Sequence, residues 1–333
     1  MSPKKFKTLF PALALPVILW SGTLKAEVPR VVADIAPVHS LVSMVMKGVG
    51  EPKLLVPQNV SPHHYAMRPS EAKALQEANL VVYVGHDMSP WMEPLFETVA
   101  ASADALNLSE VDGVLALPYR EGPVFGDDVN HEGHAHEEEG HDEHGEEHDD
   151  HEGHDHGGID PHFFTDPARM AVVAEGLSEF LVANFPDIGG FASTANDYVQ
   201  QLRDLDADVE EILSVIGNNE RALVTNHAVF AYFADRYSFT VLGEIIPSSS
   251  TLASASAQQL TSLAEEIKEN NVKAIFADAS SSDALAQTLA AEVEGVEIIN
   301  LYTESLGDPG SSGQSYIDMV RFNAQAIASA LVE

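Results

Sequence analysis

Residues 191–216 read FASTANDYVQQLRDLDADVEEILSVI. Tyr198, Leu202, Leu205, Val209, Ile212 and Ile216 recur there at spacings of 4-3-4-3-4, which marks one apolar stripe on a continuous helix. On both sides of this stretch, short apolar runs alternate with amphipathic ones. Before it, Val31-Val32-Ala33-Asp34-Ile35, Leu54-Leu55-Val56, residues 80–84 and Val114-Leu115-Ala116-Leu117 read as strands. Helices fit residues 38–47, a segment opened by Pro69-Ser70-Glu71-Ala72, residues 91–101 and residues 167–184. After it, Ala222-Leu223-Val224-Thr225, Val241-Leu242, Ala274-Ile275-Phe276-Ala277 and Ile298-Ile299-Asn300-Leu301 are strands, with helices over 229–236, 257–269, 284–292 and 315–331. Strand and helix alternating at this spacing predict mostly parallel sheets with helices on both faces. The fold expected is therefore α/β in two lobes, with the 191–216 helix as the connection between them. Ligands of such sheets sit beyond the carboxyl ends of the strands, in the crevice.

A chain of 333 residues with 45% hydrophobic content is long enough for two such cores. Its formal charge of −35 argues against nucleic acid, whose phosphates need clustered Lys and Arg. There is no cysteine, so thiolate zinc sites and disulfides are excluded and any metal must be held by His, Asp and Glu. Lys4, Lys5 and Lys7 precede an apolar run over residues 9–20 and small residues at Ser21, Gly22 and Ala26. That pattern reads as a secretory signal cleaved after Ala26. A retained anchor needs about twenty apolar residues, and this run is shorter.

One segment stands apart. Residues 126–167 read GDDVNHEGHAHEEEGHDEHGEEHDDHEGHDHGGIDPHFFTDP. Nine of the fifteen histidines fall in its first part, between His131 and His156: His131, His134, His136, His141, His144, His148, His151, His154 and His156. Fourteen carboxylates and no basic side chain accompany them between Asp127 and His156, so the remainder of the chain carries −21, the −35 of the whole less these 14. Too few apolar residues are present to offset the entropy of ordering, and a mobile loop over 127–158 is expected. Imidazole with carboxylate is also the ligand set of borderline divalent metals, zinc first. A solvated charge run is the plainer reading, but nine histidines in 26 residues weigh against it.

The strand-end rule selects three further residues, and a fourth candidate follows the acidic run. His63, in Ser61-Pro62-His63-His64-Tyr65, lies on the loop after the second strand. His227, in Thr225-Asn226-His227-Ala228, ends the Ala222 strand, and Glu304 follows the Ile298 strand. His162 comes just after the acidic loop, ahead of a helix whose start is marked by Asp166-Pro167. Three imidazoles and one carboxylate make a tetrahedral zinc set. None of the spacings is a compact motif, however. A lone histidine at a loop–helix junction is more often a hydrogen-bonded structural residue, and a lone Glu304 reads as a solvated carboxylate. Asp278, ending the Ala274 strand, competes as the fourth ligand, with water a further alternative. His39 reads as packing, His86 sits near a strand end, and His64 neighbours the site without binding.

Pro62-His63-His64-Tyr65-Ala66-Met67-Arg68-Pro69-Ser70, Asp160-Pro161-His162-Phe163-Phe164 and Asn226-His227-Ala228-Val229-Phe230-Ala231-Tyr232-Phe233 resemble three signature segments of one family. It is the metal-binding solute-binding proteins of ABC importers, the ZnuA-type zinc and manganese group, and the resemblance runs in order over the whole chain after the signal. It implies two α/β lobes joined by one long rigid helix with the metal between them. It implies His63, His162 and His227 as ligands and places the fourth position, a carboxylate before the last helix, on Glu304. Manganese members often carry a carboxylate where this chain has His227, so the imidazole-rich set and the His-rich loop favour Zn²⁺.

The domains expected are a signal at 1–26, an N-terminal lobe at 27–190 containing the loop, a linking helix at 191–217 and a C-terminal lobe at 218–333. The function expected is capture of Zn²⁺ in the periplasm of a Gram-negative cell and delivery to an ABC transporter permease, with the loop as an auxiliary weak collector. A monomer is expected, and a periplasmic zinc chaperone is a candidate further partner. Manganese import and a zinc buffer without a transporter are the alternatives. A zinc hydrolase is disfavoured, because HExxH is absent and four protein ligands close the site to water.

Overall fold

A computed structural model describes residues 27–85, 88–100, 102–114, 117, 159–246 and 255–332. Two four-stranded sheets organise them. The first contains β1 (Val31–Ala33), β2 (Lys53–Leu54), β3 (Leu80–Tyr83) and β4 (Asp104–Asn107), in the order β2-β1-β3-β4. The second contains β5 (Ala222–His227), β6 (Thr240–Ile246), β7 (Ala274–Asp278) and β8 (Glu297–Leu301), in the order β6-β5-β7-β8. Every strand pairing is parallel, and the two orders are equivalent. In each sheet the crossovers diverge at the two central strands, so the crevice opens beyond the carboxyl ends of β1 and β3 in one and of β5 and β7 in the other.

The helices are α1 (Ala36–Val45), α2 (Pro69–Glu77), α3 (Glu93–Thr98), α4 (Pro167–Asn184), α5 (Phe191–Leu213), α6 (Ala231–Tyr237), α7 (Ala257–Glu269), α8 (Ala284–Glu292) and α9 (Tyr316–Val332). Strand side chains alternate between two faces, and the alternation divides the core. Val31, Ala33, Leu80, Val82, Leu223, Ala274 and Phe276 face one continuous apolar cluster shared by both halves of the molecule. Val32 and Val81 face a second cluster under α2 and α3, while Val224, Ile275 and Ala277 face a third under α7 and α8. Both sheets are thus covered on two sides, which is why their strands read as nearly unbroken apolar runs.

The shared cluster is built on α5, which packs against α4, α9 and α1. At 1.5 Å per residue its 23 residues span about 35 Å. Tyr198, Leu202, Leu205 and Val209 of the stripe are buried and Ile212 is partly so. The helix begins at Gly190, whose φ of 109° suits a residue without a side chain. It stops at Leu213, three residues before the stripe ends. There the Arg221 guanidinium donates to the carbonyls of Leu213 (3.0 Å) and Ile216 (3.4 Å), satisfying acceptors a further turn would have used.

One strand is not where the sequence pattern puts it. Val114 lies in a coil and Leu117 in none of the strands, while residues 115 and 116 are outside the described set. The fourth strand is Asp104–Asn107, paired with Leu80–Tyr83. It is a half-exposed edge strand with two polar residues out of four, so it carries no apolar run, whereas the apolar Val114 is buried as part of the shared core. The His-rich segment over 127–158, its nine histidines, His86 and residues 1–26 also lie outside the described residues. Among the described residues no helix is long and apolar enough to cross a membrane.

Candidate metal centre

Each candidate residue leaves a strand end or a short turn. His63 lies in a 3-10 turn, Pro62–His64, beyond β2. The Trp91 indole donates to the Pro62 carbonyl at 2.7 Å and fixes this turn. His227 is the last residue of β5, and its carbonyl accepts from the Thr225 hydroxyl and the Val229 amide, both at 2.9 Å. Glu304 follows β8, in a segment anchored by Asn323, whose side chain bonds both backbone polar groups of Tyr302. His162 precedes a 3-10 turn, Phe163–Thr165, and then α4, whose N-cap Asp166 accepts from Ala168 and Arg169 amides.

These four side chains converge. One ligand-type atom from each of His63, His162, His227 and Glu304 lies within 4.8 Å of the others, and all four residues are buried. The imidazole centroids stand 5.8, 5.8 and 5.6 Å apart with interplanar angles of 64°, 85° and 72°, a pinwheel around one point. Glu304 Oε1 closes the set, at 2.5 Å from His63 Nε2, 3.1 Å from His227 Nε2 and 3.4 Å from His162 Nε2. Ligands about 2.0–2.1 Å from a tetrahedral ion are ~3.3 Å from one another, a spacing that the 3.1 and 3.4 Å separations match and the His63–Glu304 separation falls short of. His63 Nε2 makes no hydrogen bond despite its proximity to the carboxylate, because it is not aimed along a donor–acceptor line.

The electrostatics follow from burial and neighbours. Burial of Glu304 favours its neutral form, but the surrounding imidazoles of His63, His227 and His162 win and hold its carboxyl well below the usual range. Burial likewise disfavours the charged form of His162. The Asp160 carboxylate, hydrogen-bonded to its Nδ1 at 2.8 Å, outweighs that with help from Glu304 and pushes the imidazole up to about 9. Asp160 Oδ1 also accepts the His162 amide at 2.9 Å. A carboxylate on Nδ1 fixes the tautomer that leaves Nε2 for a metal and raises its basicity. Ser61 Oγ adds a long donation, 3.4 Å, to Glu304 Oε2.

Asp278 is close but separate. Its Oδ1 accepts from the amide and hydroxyl of Ser280, at 2.7 and 2.9 Å, and it is not among the four convergent donors. Burial, then the charge of Glu304, raises its pKa. His39 Nε2 bonds the Pro52 carbonyl, in keeping with a packing role. Asp160 is the residue whose part the sequence did not reveal. Its signal was present as an aspartate two positions before a histidine, the spacing of a turn in which Asp accepts from the backbone.

A metal-binding solute-binding protein is the class that two equivalent parallel α/β lobes with a buried His/Glu cluster between them define. Comparison with known proteins is specific. The family model described as "ZnuA: Zinc-uptake complex component A periplasmic" matches residues 31–330, and the chain belongs to that family of zinc-binding periplasmic solute-binding proteins of ABC importers. It is similar to the "High-affinity zinc uptake system protein ZnuA" of Paracoccus denitrificans (strain Pd 1222), 34% identical over 326 residues that cover 96% of this chain and 98% of that one. The protein of the same name from Brucella abortus (strain 2308) is 29% identical, with 98% and 99% covered. Among solved structures, the periplasmic zinc binding protein TroA from Treponema pallidum aligns with a TM-score of 0.73 at 25% identity, covering 92% of this chain and all of that one. A periplasmic metal binding protein from Candidatus Liberibacter asiaticus, 17% identical with a TM-score of 0.70 over 91% and 99% of the two chains, shares the fold.

Proposed function

We propose that this chain captures Zn²⁺ in the periplasm of a Gram-negative cell, with His63, His162, His227 and Glu304 as its ligands, and delivers the ion to the permease of an ABC importer. The observation that carries the reading is the convergence of three imidazoles and one carboxylate on a single buried centre. Neutral imidazoles and a carboxylate bind after losing protons, so affinity falls with acid. Imidazole outnumbering oxygen favours zinc over manganese, and the names of the Paracoccus and Brucella relatives support the same ion. The mature chain begins after Ala26, lobes over 27–190 and 218–333 flank a connecting segment over 191–217 whose helix is Phe191–Leu213, and the protein acts as a monomer. The nine histidines between His131 and His156 form an auxiliary, weaker collector, which a periplasmic chaperone is a candidate to load. Release requires the transporter to disturb the site, since the shared core along α5 opposes wide opening of the lobes.

Competitive titration of the mature protein and His63→Ala, counting zinc and manganese per chain, tests this. One tight zinc site lost in the variant, with weaker sites surviving, is the expected result. Unchanged tight binding moves the function to the His-rich segment and refutes the site. Deleting 127–158 is expected to lower total metal bound and leave the tight site intact.

A further inference from the structure

Residues 117 and 160 bracket the His-rich segment, and one hydroxyl from the other half of the chain holds both. Tyr232 Oη accepts from the Leu117 amide at 2.9 Å and donates to the Asp160 carbonyl at 2.7 Å. The Asp160 amide in turn donates to the Leu117 carbonyl at 2.9 Å. Tyr232 is wholly buried, and its ring lies under the Arg169 guanidinium at 4.7 Å. Arg169 is itself fixed by the Val114 carbonyl at 3.1 Å and by Asp166. Burial, which outweighs the opposing effect of the bond from Leu117, pushes the phenol pKa up to about 12, so the hydroxyl stays protonated and serves as donor and acceptor together.

The position of Tyr232 in the chain gives this clamp its meaning. It lies on α6, five residues after His227, and it grips the residue whose carboxylate orients His162. It therefore sets His162 relative to His227, two rings on opposite lobes with centroids 5.6 Å apart. We infer that Tyr232 is a positioning residue of the metal site, fastening through its hydroxyl the Asp160 segment so that the His162 ring is held in place before the ion arrives. Preorganised ligands retain affinity that mobile ones lose in ordering.

This rests on the site proposed above, and the test separates the two. Zinc affinity is measured by competition with a chelator near pH 9 for the unsubstituted full chain, Tyr232→Phe, Asp160→Ala, the double variant and His162→Ala. Phenylalanine keeps the ring under Arg169 and removes only the hydroxyl. Expected is a loss of about three- to tenfold in Tyr232→Phe, below the 10–100-fold typical of a group touching a ligand, and a further loss under about twofold when Asp160 is already Ala. A general structural role instead lowers affinity by the same factor in both backgrounds, which overturns the inference, as does an unchanged affinity in Tyr232→Phe. Hydrogen exchange at the Asp160 amide of the metal-free protein is expected to quicken in Tyr232→Phe, and unchanged exchange also refutes the clamp. If His162→Ala retains tight zinc, the site itself is wrong and the inference falls with it.

Discussion

The Asp160–His162 pair yields a prediction whose size depends on pH. Removing the carboxylate in Asp160→Ala deletes a 2.8 Å hydrogen bond between a charged group and Nδ1. Such bonds are worth about 1.5–3 kcal/mol, which corresponds to roughly 10–100-fold in zinc affinity. The same carboxylate also holds a proton on His162, raising its pKa to about 9 in the metal-free protein. At pH 7.5 zinc must displace that proton, a handicap of up to ~30-fold that is gone near pH 9. Asp160→Ala relieves the handicap as it loses the ligand's support. The loss is thus expected in full near pH 9 and to shrink as the pH falls towards 7. Asp160→Asn keeps an acceptor oxygen without the charge and is expected to fall between the two proteins. The assay is competition against a zinc chelator of known affinity at both pH values, with circular dichroism to verify the fold. A folded Asp160→Ala with unchanged affinity near pH 9 would refute the claim that this carboxylate supports the ligand.

Glu304→Gln exchanges the charged oxygen common to all three imidazoles for a neutral amide. One ligand among four in a site binding with about 10–16 kcal/mol is worth ~3 kcal/mol, so a loss of 10²–10³-fold in zinc affinity is expected by the same titration. In the metal-free protein the raised pKa of His162 stabilises the fold fully below 6.5 and this contribution is lost as pH rises through about 9. The depressed pKa of Glu304 contributes above 4.5 and is lost on acidification. The metal-free Tm is accordingly expected to fall between pH 6.5 and 9.5, and His162→Ala to flatten that decline in a calorimetric pH series. Leu202→Ala opens a cavity at a fully buried position of the α5 stripe and is expected to cost about 2–5 kcal/mol, read as a shift of the urea midpoint. Because both sheets share that core, one cooperative transition is expected to shift.

Local periodicity was sufficient for much of the architecture. The stripe on 191–216 specified a long helix because burial on one side repeats every 3.6 residues whatever the partner. The apolar runs at Val31, Leu80, Ala222 and Ala274 specified covered parallel strands, since a strand buried on both faces has no polar side to show. His63 and His227 were legible as candidates because ligands in such folds sit beyond the carboxyl ends of strands. The edge strand Asp104–Asn107 was not legible, for its order comes from pairing with Leu80–Tyr83 rather than from its own composition. Nor could sequence choose between Glu304 and Asp278, two acidic residues at the ends of neighbouring strands. Tertiary structure turns Glu304 towards the three imidazoles and leaves Asp278 accepting from Ser280. The roles of Asp160 and Tyr232 were hidden for the same reason. Asp160 acts through a histidine two residues away, but Tyr232 acts through a carbonyl 72 positions distant. Residue order alone specifies the residue types able to hold a borderline metal and the strands and helices that carry them. Only the tertiary structure brought His63 and Glu304, 241 residues apart, to 2.5 Å, because convergence on a point depends on how two sheets dock across a shared core and no periodicity within either sheet encodes it.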